Sequence, residues 1–488
     1  MKRILIILSF IFASNIIIAQ KPRVIHLIDI GKHPHMPEID NKDPDDRQTL
    51  VRALLYANEM DIEGLIATAS WAGQSSVDSK QGAFPESIIA AVDGYAKVLD
   101  NLNVHDKGWP TAEYLHSVIK KGNPAASVPF WSGDHMDVVG DGKDTEASDH
   151  ILSRILDDDP RNLWFSVWGK SIDLAQALWK LKRDYPSKVE ELTGKIYVYD
   201  IAGQDACGAW IAATFPRIKW YRAMYSVISW ANVLASIDNI GDLSVISVNW
   251  WDNHIREQGI MGELYPIKTH EGNWEGDTPS LLLFTDRGLS DPENLHYGGW
   301  GGRYMKNPTR NMSALNPGID RSQKKYEPFF MYESAGDTWC YNGNIYFNDT
   351  RVPIGRFRTA IQNDFAARMQ WTVNPVFSDA NHPPIAIIND HSGRDFVYLS
   401  VAPGEKVNLT ARGSSDPDGD NISFQWWRYA EADSYDGNIN IHNTTSQDAH
   451  FLAPDAPGKT IHIILEVTDN GSPRLTSYRR MIITISNG

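Results

Sequence analysis

Residues Arg23-Val-Ile-His-Leu-Ile-Asp29 form a short apolar run that ends on a carboxylate, and a helical pattern follows it. The same rhythm recurs down the chain as far as about Ser290. Val24–Ile30, Ile62–Ala69, Leu163–Val167 and Lys195–Ile201 read as strands. Between and around them, Gln48–Glu59, Glu86–Leu99, Glu146–Leu156 and Ile172–Lys182 read as helices, the first with Leu50, Val51, Leu54 and Leu55 on one face. Strands alternating with amphipathic helices predict an α/β domain, a mostly parallel sheet flanked by helices on both faces. In such sheets the ligand site lies at the carboxyl ends of the strands, which is where this pattern puts Asp29.

From Leu289 to Asn374 the regularity falls, and Tyr297-Gly-Gly-Trp-Gly-Gly-Arg303-Tyr reads as loop, with one helix near Gly355–Met369. Asn381-His-Pro-Pro-Ile385 reads as a linker. Beyond it, Lys406–Ala411, Ile422–Trp427, Thr460–Thr468 and Arg479–Ile485 are short strands separated by turn clusters, the pattern of an immunoglobulin-like β-sandwich. The resulting division is a signal peptide at 1–19, an α/β domain at 20–375 and a C-terminal sandwich at 383–488. Strand alternation turns one of Trp426 and Trp427 inward. The turn Gly413-Ser-Ser-Asp416-Pro-Asp-Gly-Asp420 is compatible with a calcium loop and equally with a metal-free Asp/Gly turn.

A net charge of −15 argues against nucleic acid or an anionic membrane as partner. Met1-Lys-Arg followed by an apolar stretch up to Ala19 has the form of a secretory signal, with cleavage expected after Ala19. Later segments are too short or too polar to span a bilayer, so the expectation is an exported protein, periplasmic or extracellular. The two cysteines, Cys207 and Cys340, fit either a disulfide or two separate buried thiols, and no zinc-type cluster accompanies them. Seventeen Trp suit a core and also suit sugar stacking.

The chemistry concentrates in acids. Asp29 ends a strand, while Asp45 and Asp46 open a helix. A helix N-terminus attracts negative charge, so capping accounts for one of the three. Three at one junction call for a cation, a shared proton or a wet site. Glu275-Gly-Asp277-Thr-Pro-Ser280 is a second acidic stretch, with Pro279 in the first turn of a helix and Thr278 as its cap.

Leu27-Ile-Asp29-Ile-Gly31 with Pro44-Asp-Asp46 resembles the aspartate-rich signature of nucleoside hydrolases. More closely, several stretches resemble the bacterial nucleoside-hydrolase-like, or cellulose-binding Sde182-like, family. They are Leu50–Glu59, Ile62–Thr68, Gly142–Ser148, Val167-Trp-Gly169, Gly203-Gln-Asp205 with Trp210, Glu275–Ser280 and Trp300–Tyr304. The resemblance implies a calcium ion (Ca2+) held by Asp29, Asp45, Asp46, Asp277 and the backbone carbonyl of Trp168, with Asp29 as the catalytic base. Gln204, Asp205 and Glu275 are the candidates for binding substrate, and a polar strand-end turn explains Gln204 and Asp205 equally well. Two departures stand out. A long loop, Ile30–Pro44, is inserted after Asp29, and Gly276 stands where the common nucleoside hydrolases carry a leaving-group His. The implied function is an exported calcium-dependent hydrolase of an N- or O-glycosidic bond acting on a sugar or polysaccharide; the alternative is a carbohydrate-binding protein on the same scaffold without catalysis.

Overall fold

The computed structural model describes residues 20–31, 45–69, 83–124, 135–201, 203–223, 240–266, 275–306 and 324–487. Residues 1–19, expected as a signal peptide, and most of the loop Ile30–Pro44, with His33, His35, Glu38, Asp40 and Asp43, lie outside them, as does His270. Eight strands form one sheet: β1 (Arg23–Ile28), β2 (Asp61–Ala67), β3 (Ile119–Lys121), β4 (Leu163–Val167), β5 (Ile196–Ile201), β6 (Lys219–Ala223), β7 (Tyr304–Lys306) and β8 (Tyr332–Ser334). Their order is β3-β2-β1-β4-β5-β6-β8-β7, and every pairing is parallel except β7 with β8. The three-residue strands β3, β7 and β8 have no counterpart in the sequence reading, because three residues carry no periodicity.

Two-residue alternation along the central strands feeds two cores. Val24, Ile28, Trp164, Tyr197 and Tyr199 enter one core, while Ile25, Leu27, Phe165, Val167 and Val198 enter the other. The first is covered by α1 (Asp45–Leu54), α2 (Pro85–His105) and a late helix, Arg358–Val373. The second is covered by α3 (Glu146–Ile155), α4 (Ile172–Asp184) and α5 (Cys207–Thr214). Helix α1 starts three residues before the expected Gln48 and ends at Leu54, so the acids lie inside its first turn. Strand β1 stops at Ile28, which leaves Asp29 just past the strand end.

The C-terminal region contains a four-stranded sheet of Val397–Val401, Thr476–Ile485, Thr460–Thr468 and Ser423–Arg428, and a separate pair, Lys406–Thr410 with Asp448–Leu452. Both surround one core that includes Trp426, Phe451, Ile463 and Ile483. The strands 460–468 and 476–485 are buried almost continuously, because their outer face packs on the α/β unit. Ile464 and Tyr478 belong to the same core as Leu289, Trp300 and Phe357. Trp426 is the inward one of the Trp pair. Its neighbour Trp427 is half-buried and stacks near Phe357, with the Arg356 guanidinium 4.3 Å above its ring. Cys207 is buried, Cys340 is exposed, and both are free thiols. Asp416 accepts the backbone N–H groups of Asp418 and Asp420 at 2.9 and 3.1 Å, so at least one of its oxygens stabilises the turn itself.

Arg480 shows how tightly the two units depend on each other. Its side chain is fully buried, with no carboxylate in ion-pair contact among the described residues. It donates to the carbonyls of Tyr297 and Gly298, both at 2.9 Å, and lies against the rings of Tyr297, Phe396 and Tyr429. A guanidinium withdrawn from water costs several kcal/mol unless such partners are present, and the carbonyls come from the α/β unit. Tyr429 adds a hydrogen bond of 2.7 Å to the buried Asp337. The two units are therefore expected to unfold together. Scanning calorimetry of the whole chain should give one cooperative transition, and two well-separated transitions would contradict this packing.

Candidate metal centre

Helix α1 and the segment from Glu275 to Leu282 are fastened to each other by three side chains of α1. Gln48 accepts the Glu275 N–H at 2.9 Å and donates to the Pro266 carbonyl at 2.8 Å. The hydroxyls of Thr49 and Thr278 are 3.0 Å apart. Arg52 grips Glu275 through two hydrogen bonds, 2.9 and 2.7 Å, with both side chains fully buried. The helix Pro279–Leu282 begins as the sequence suggests, with Pro279 in its first turn, but Thr278 makes no cap bond because its hydroxyl faces Thr49. This clasp carries Asp277 to the N-terminus of α1.

Oxygens of Asp45, Asp46 and Asp277 consequently lie within 4.8 Å of one another. That spread is what a single ion about 2.4 Å from each ligand can reach. Asp46 also accepts the Asp29 N–H at 2.9 Å, which pins the end of β1 to the start of α1. Asp29 lies against Gly169, where a Cβ would stand 2.3 Å from the Asp29 carboxyl carbon. Gly169 follows Trp168, whose indole donates to Ser166 and Ser280 at 2.7 and 3.0 Å. Gly276 is under the same pressure: a Cβ there would lie 2.5 Å from Asp45 Oδ2. A side chain at this position would therefore have to displace the Asp45 carboxylate.

Five buried oxygens around this junction have no hydrogen-bond partner among the described residues: both of Asp29, Oδ1 of Asp45, Oδ2 of Asp277 and Oε1 of Gln204. All five are acceptors, and an unpaired buried acceptor is costly unless a cation or proton meets it. Burial is the main cause pushing the Asp29 carboxyl up to about 6, with the Asp45 charge adding to it. Asp277 is held well above the usual carboxylate range, first by burial and then by Asp45 and Asp29. Hard oxygen donors without nitrogen or sulfur fit a cation such as calcium or magnesium.

The remaining sequence candidates divide. Gln204 is at the junction; its amide N–H donates to the Trp168 carbonyl, leaving Oε1 unpaired. Asp205 and Glu275, expected as substrate ligands, have their carboxylates engaged elsewhere. Asp205 accepts Ser171 N and Oγ at 2.7 and 2.9 Å and the N–H groups of Cys207 and Gly208 at 2.9 and 3.3 Å, which ties it to the start of α5. Glu275 is held by Arg52, as above. A residue the sequence reading passed over is Lys170, only 2 % exposed. Burial lowers its pKa, and the charges of Asp205 and Asp29 act against that. Its position directly after Trp168-Gly169 at a strand end was the available signal.

Two expectations follow. Because the folded pKa of Asp29 lies above that of a free carboxyl, its proton stabilises the metal-free fold at low pH, and this contribution disappears as pH rises through about 6. A cation must displace that proton, so calcium affinity measured by calorimetry should rise steeply between about pH 5 and pH 7, with a shallower rise in Asp29→Asn. Gly276→Ala should displace Asp45 and weaken calcium binding at least about tenfold while the secondary structure by circular dichroism is retained; unchanged affinity would show that the glycine serves something else.

Residues 35–304 match the family described as cellulose-binding Sde182, nucleoside hydrolase-like domain. Residues 406–485 match the C-terminal domain of the cellulose-binding protein Sde0182. Among solved structures, a nucleoside hydrolase-related hypothetical protein from Saccharophagus degradans, associated with carbohydrate metabolism, is 36% identical. That similarity covers 96% of this chain and 100% of the other, with a TM-score of 0.77. A PKD domain from KIAA 1837 protein is 20% identical over 19% of this chain and 83% of that one, with a TM-score of 0.15. Extracellular cadherin domains of protocadherin gamma B7 are 15% identical over 19% of this chain and 24% of that one, with a TM-score of 0.13. No curated protein matches. With the mostly parallel sheet and the extent of these matches, the chain belongs to the cellulose-binding Sde182, nucleoside hydrolase-like family.

Proposed function

We propose that this protein is an exported calcium-dependent hydrolase of a glycosidic bond, N- or O-linked, serving glycan utilisation in the periplasm or outside the cell. The observation that carries the reading is the set of five unpaired acceptor oxygens at one strand-to-helix junction. Asp45, Asp46 and Asp277 would hold the ion, with Asp29, the Trp168 carbonyl and Gln204 Oε1 beside them. When bound, calcium supplies the positive charge that fixes sugar hydroxyls and acidifies a water. Asp29, just past the end of β1 and tied to Asp46, is the residue that would take the proton of the attacking water. Clasping of α1 to residues 275–282 orients the acids before substrate arrives. The attacked carbon is anomeric, where departure of the leaving group develops oxocarbenium character.

A second reading is supported by Gly276. With its Cβ position blocked by Asp45, no side chain there serves as leaving-group acid. The same scaffold would then bind a cellulose-like polysaccharide without cleaving it, in keeping with the family description. The two readings separate experimentally. Turnover on a panel of nucleosides and plant or algal oligosaccharides supports the enzyme, while pulldown on insoluble polysaccharide without turnover supports the binding protein. In the enzyme reading, Asp46→Ala loses calcium binding and lowers turnover by about a hundredfold or more; full turnover in that variant rules out the metal mechanism.

A further inference from the structure

A cavity of about 340 Å³ opens between the two units, away from the acid cluster, and it is lined on one side by Arg287. Arg287 has left-handed backbone, φ 53°, unusual for a residue with a side chain. Its carbonyl is held by the Tyr478 N–H at 3.2 Å, and a Cβ on the following Gly288 would stand 2.6 Å from the Tyr478 carbonyl, so the turn is pressed onto the C-terminal sheet. Strain of this kind persists where surrounding contacts over-determine it, and it concentrates at binding sites. The side chain is only 8 % exposed. Its Nε donates to Asp364 at 2.5 Å, while Nη1 and Nη2 hydrogen-bond to nothing among the described residues. Arg287 lines the cavity with these two nitrogens unused.

The surroundings suit an anion carried on a ring that can turn a C–H face to an apolar wall. Arg394, also on the cavity wall, pairs with Glu59. Arg368 pairs with both Glu59 and Asp364. Three guanidinium groups thus share two carboxylates. Of the other titratable groups on the wall, Asp106 already accepts Asn58 Nδ2 and Lys107 N at 2.9 and 2.8 Å. His105 and His382 bond each other at 2.9 Å, and His382 faces Asp418. Trp371, Phe377, Pro383 and Tyr478 complete the wall with apolar surface. The volume is at the small end of ligand sites, which run from about 300 to 1,000 Å³.

We propose that this interdomain cavity is a second ligand site, taking a sugar that carries a carboxylate, such as a uronic acid unit, with the carboxylate on the Arg287 fork and the ring against the apolar wall. The site is independent of the acid cluster and of the reaction proposed there. The test is calorimetry on the mature full-length chain with D-galacturonate, D-galactose, acetate and sulfate. Galacturonate is expected to bind at least about tenfold tighter than galactose or acetate. Arg287→Lys keeps the charge but removes the fork and should lose this preference. Should that variant fail to fold, Ile385→Glu places a repelling carboxylate at the half-exposed mouth and should abolish binding with the melting temperature retained. Asp46→Ala should leave galacturonate binding intact, which separates this site from the acid cluster. Equal binding of galactose, equal binding of acetate or sulfate, no binding at all, or an unaffected Ile385→Glu variant each overturns the proposal.

Discussion

Carboxylates crowded at one buried junction, several of whose oxygens meet no donor among the described residues, are the constraint around which the α/β unit is arranged. Two unit negative charges 4.8 Å apart repel by about 3.5 kcal/mol at an effective dielectric of about 20. A fold of ordinary stability tolerates that only with an added positive charge or a shared proton. The rest of the junction works to keep the acids together despite this repulsion. The buried Arg52–Glu275 pair and the Gln48 and Thr49 contacts press Asp277 toward α1. Gly169 and Gly276 remove the side chains that would hold Asp29 and Asp45 apart from their neighbours.

The C-terminal unit is part of the same construction. Its outer sheet face is occupied by the α/β unit, and Trp427, which from its sequence suits a glycan-stacking surface, faces Phe357 and Arg356. Arg480 would lose both of its carbonyl acceptors if the units separated. The sheet face that this unit would present in isolation is therefore covered, and the cavity lined by Arg287 opens at the boundary between the units.

Much of this was legible in the sequence, for identifiable reasons. The central strands are buried on both faces, so they read as apolar runs, and the four acids announce themselves by type and by position next to strand and helix ends. What remained hidden depends on partners distant in the chain. Arg52, the buried partner of Glu275, lies 223 residues earlier, and no local pattern reveals the pair. Asp205 is different, because an acid two residues before a helix is a recognisable cap, yet the cap and a sugar ligand look alike in sequence. Gly276 was visible as a missing His, but only the packing shows that a Cβ there would press on the Asp45 carboxylate. The expected helix Gln48–Glu59 started late because periodicity of apolar residues begins only at Leu50, whereas the helix is already under way at the acids.

The most direct test of the central claim is a crystal structure of the mature protein grown with calcium. The account predicts one ion about 2.3–2.6 Å from oxygens of Asp45, Asp46 and Asp277, identified by its anomalous signal. A junction free of metal at saturating calcium, with protonated carboxyls bonded to each other, would contradict it.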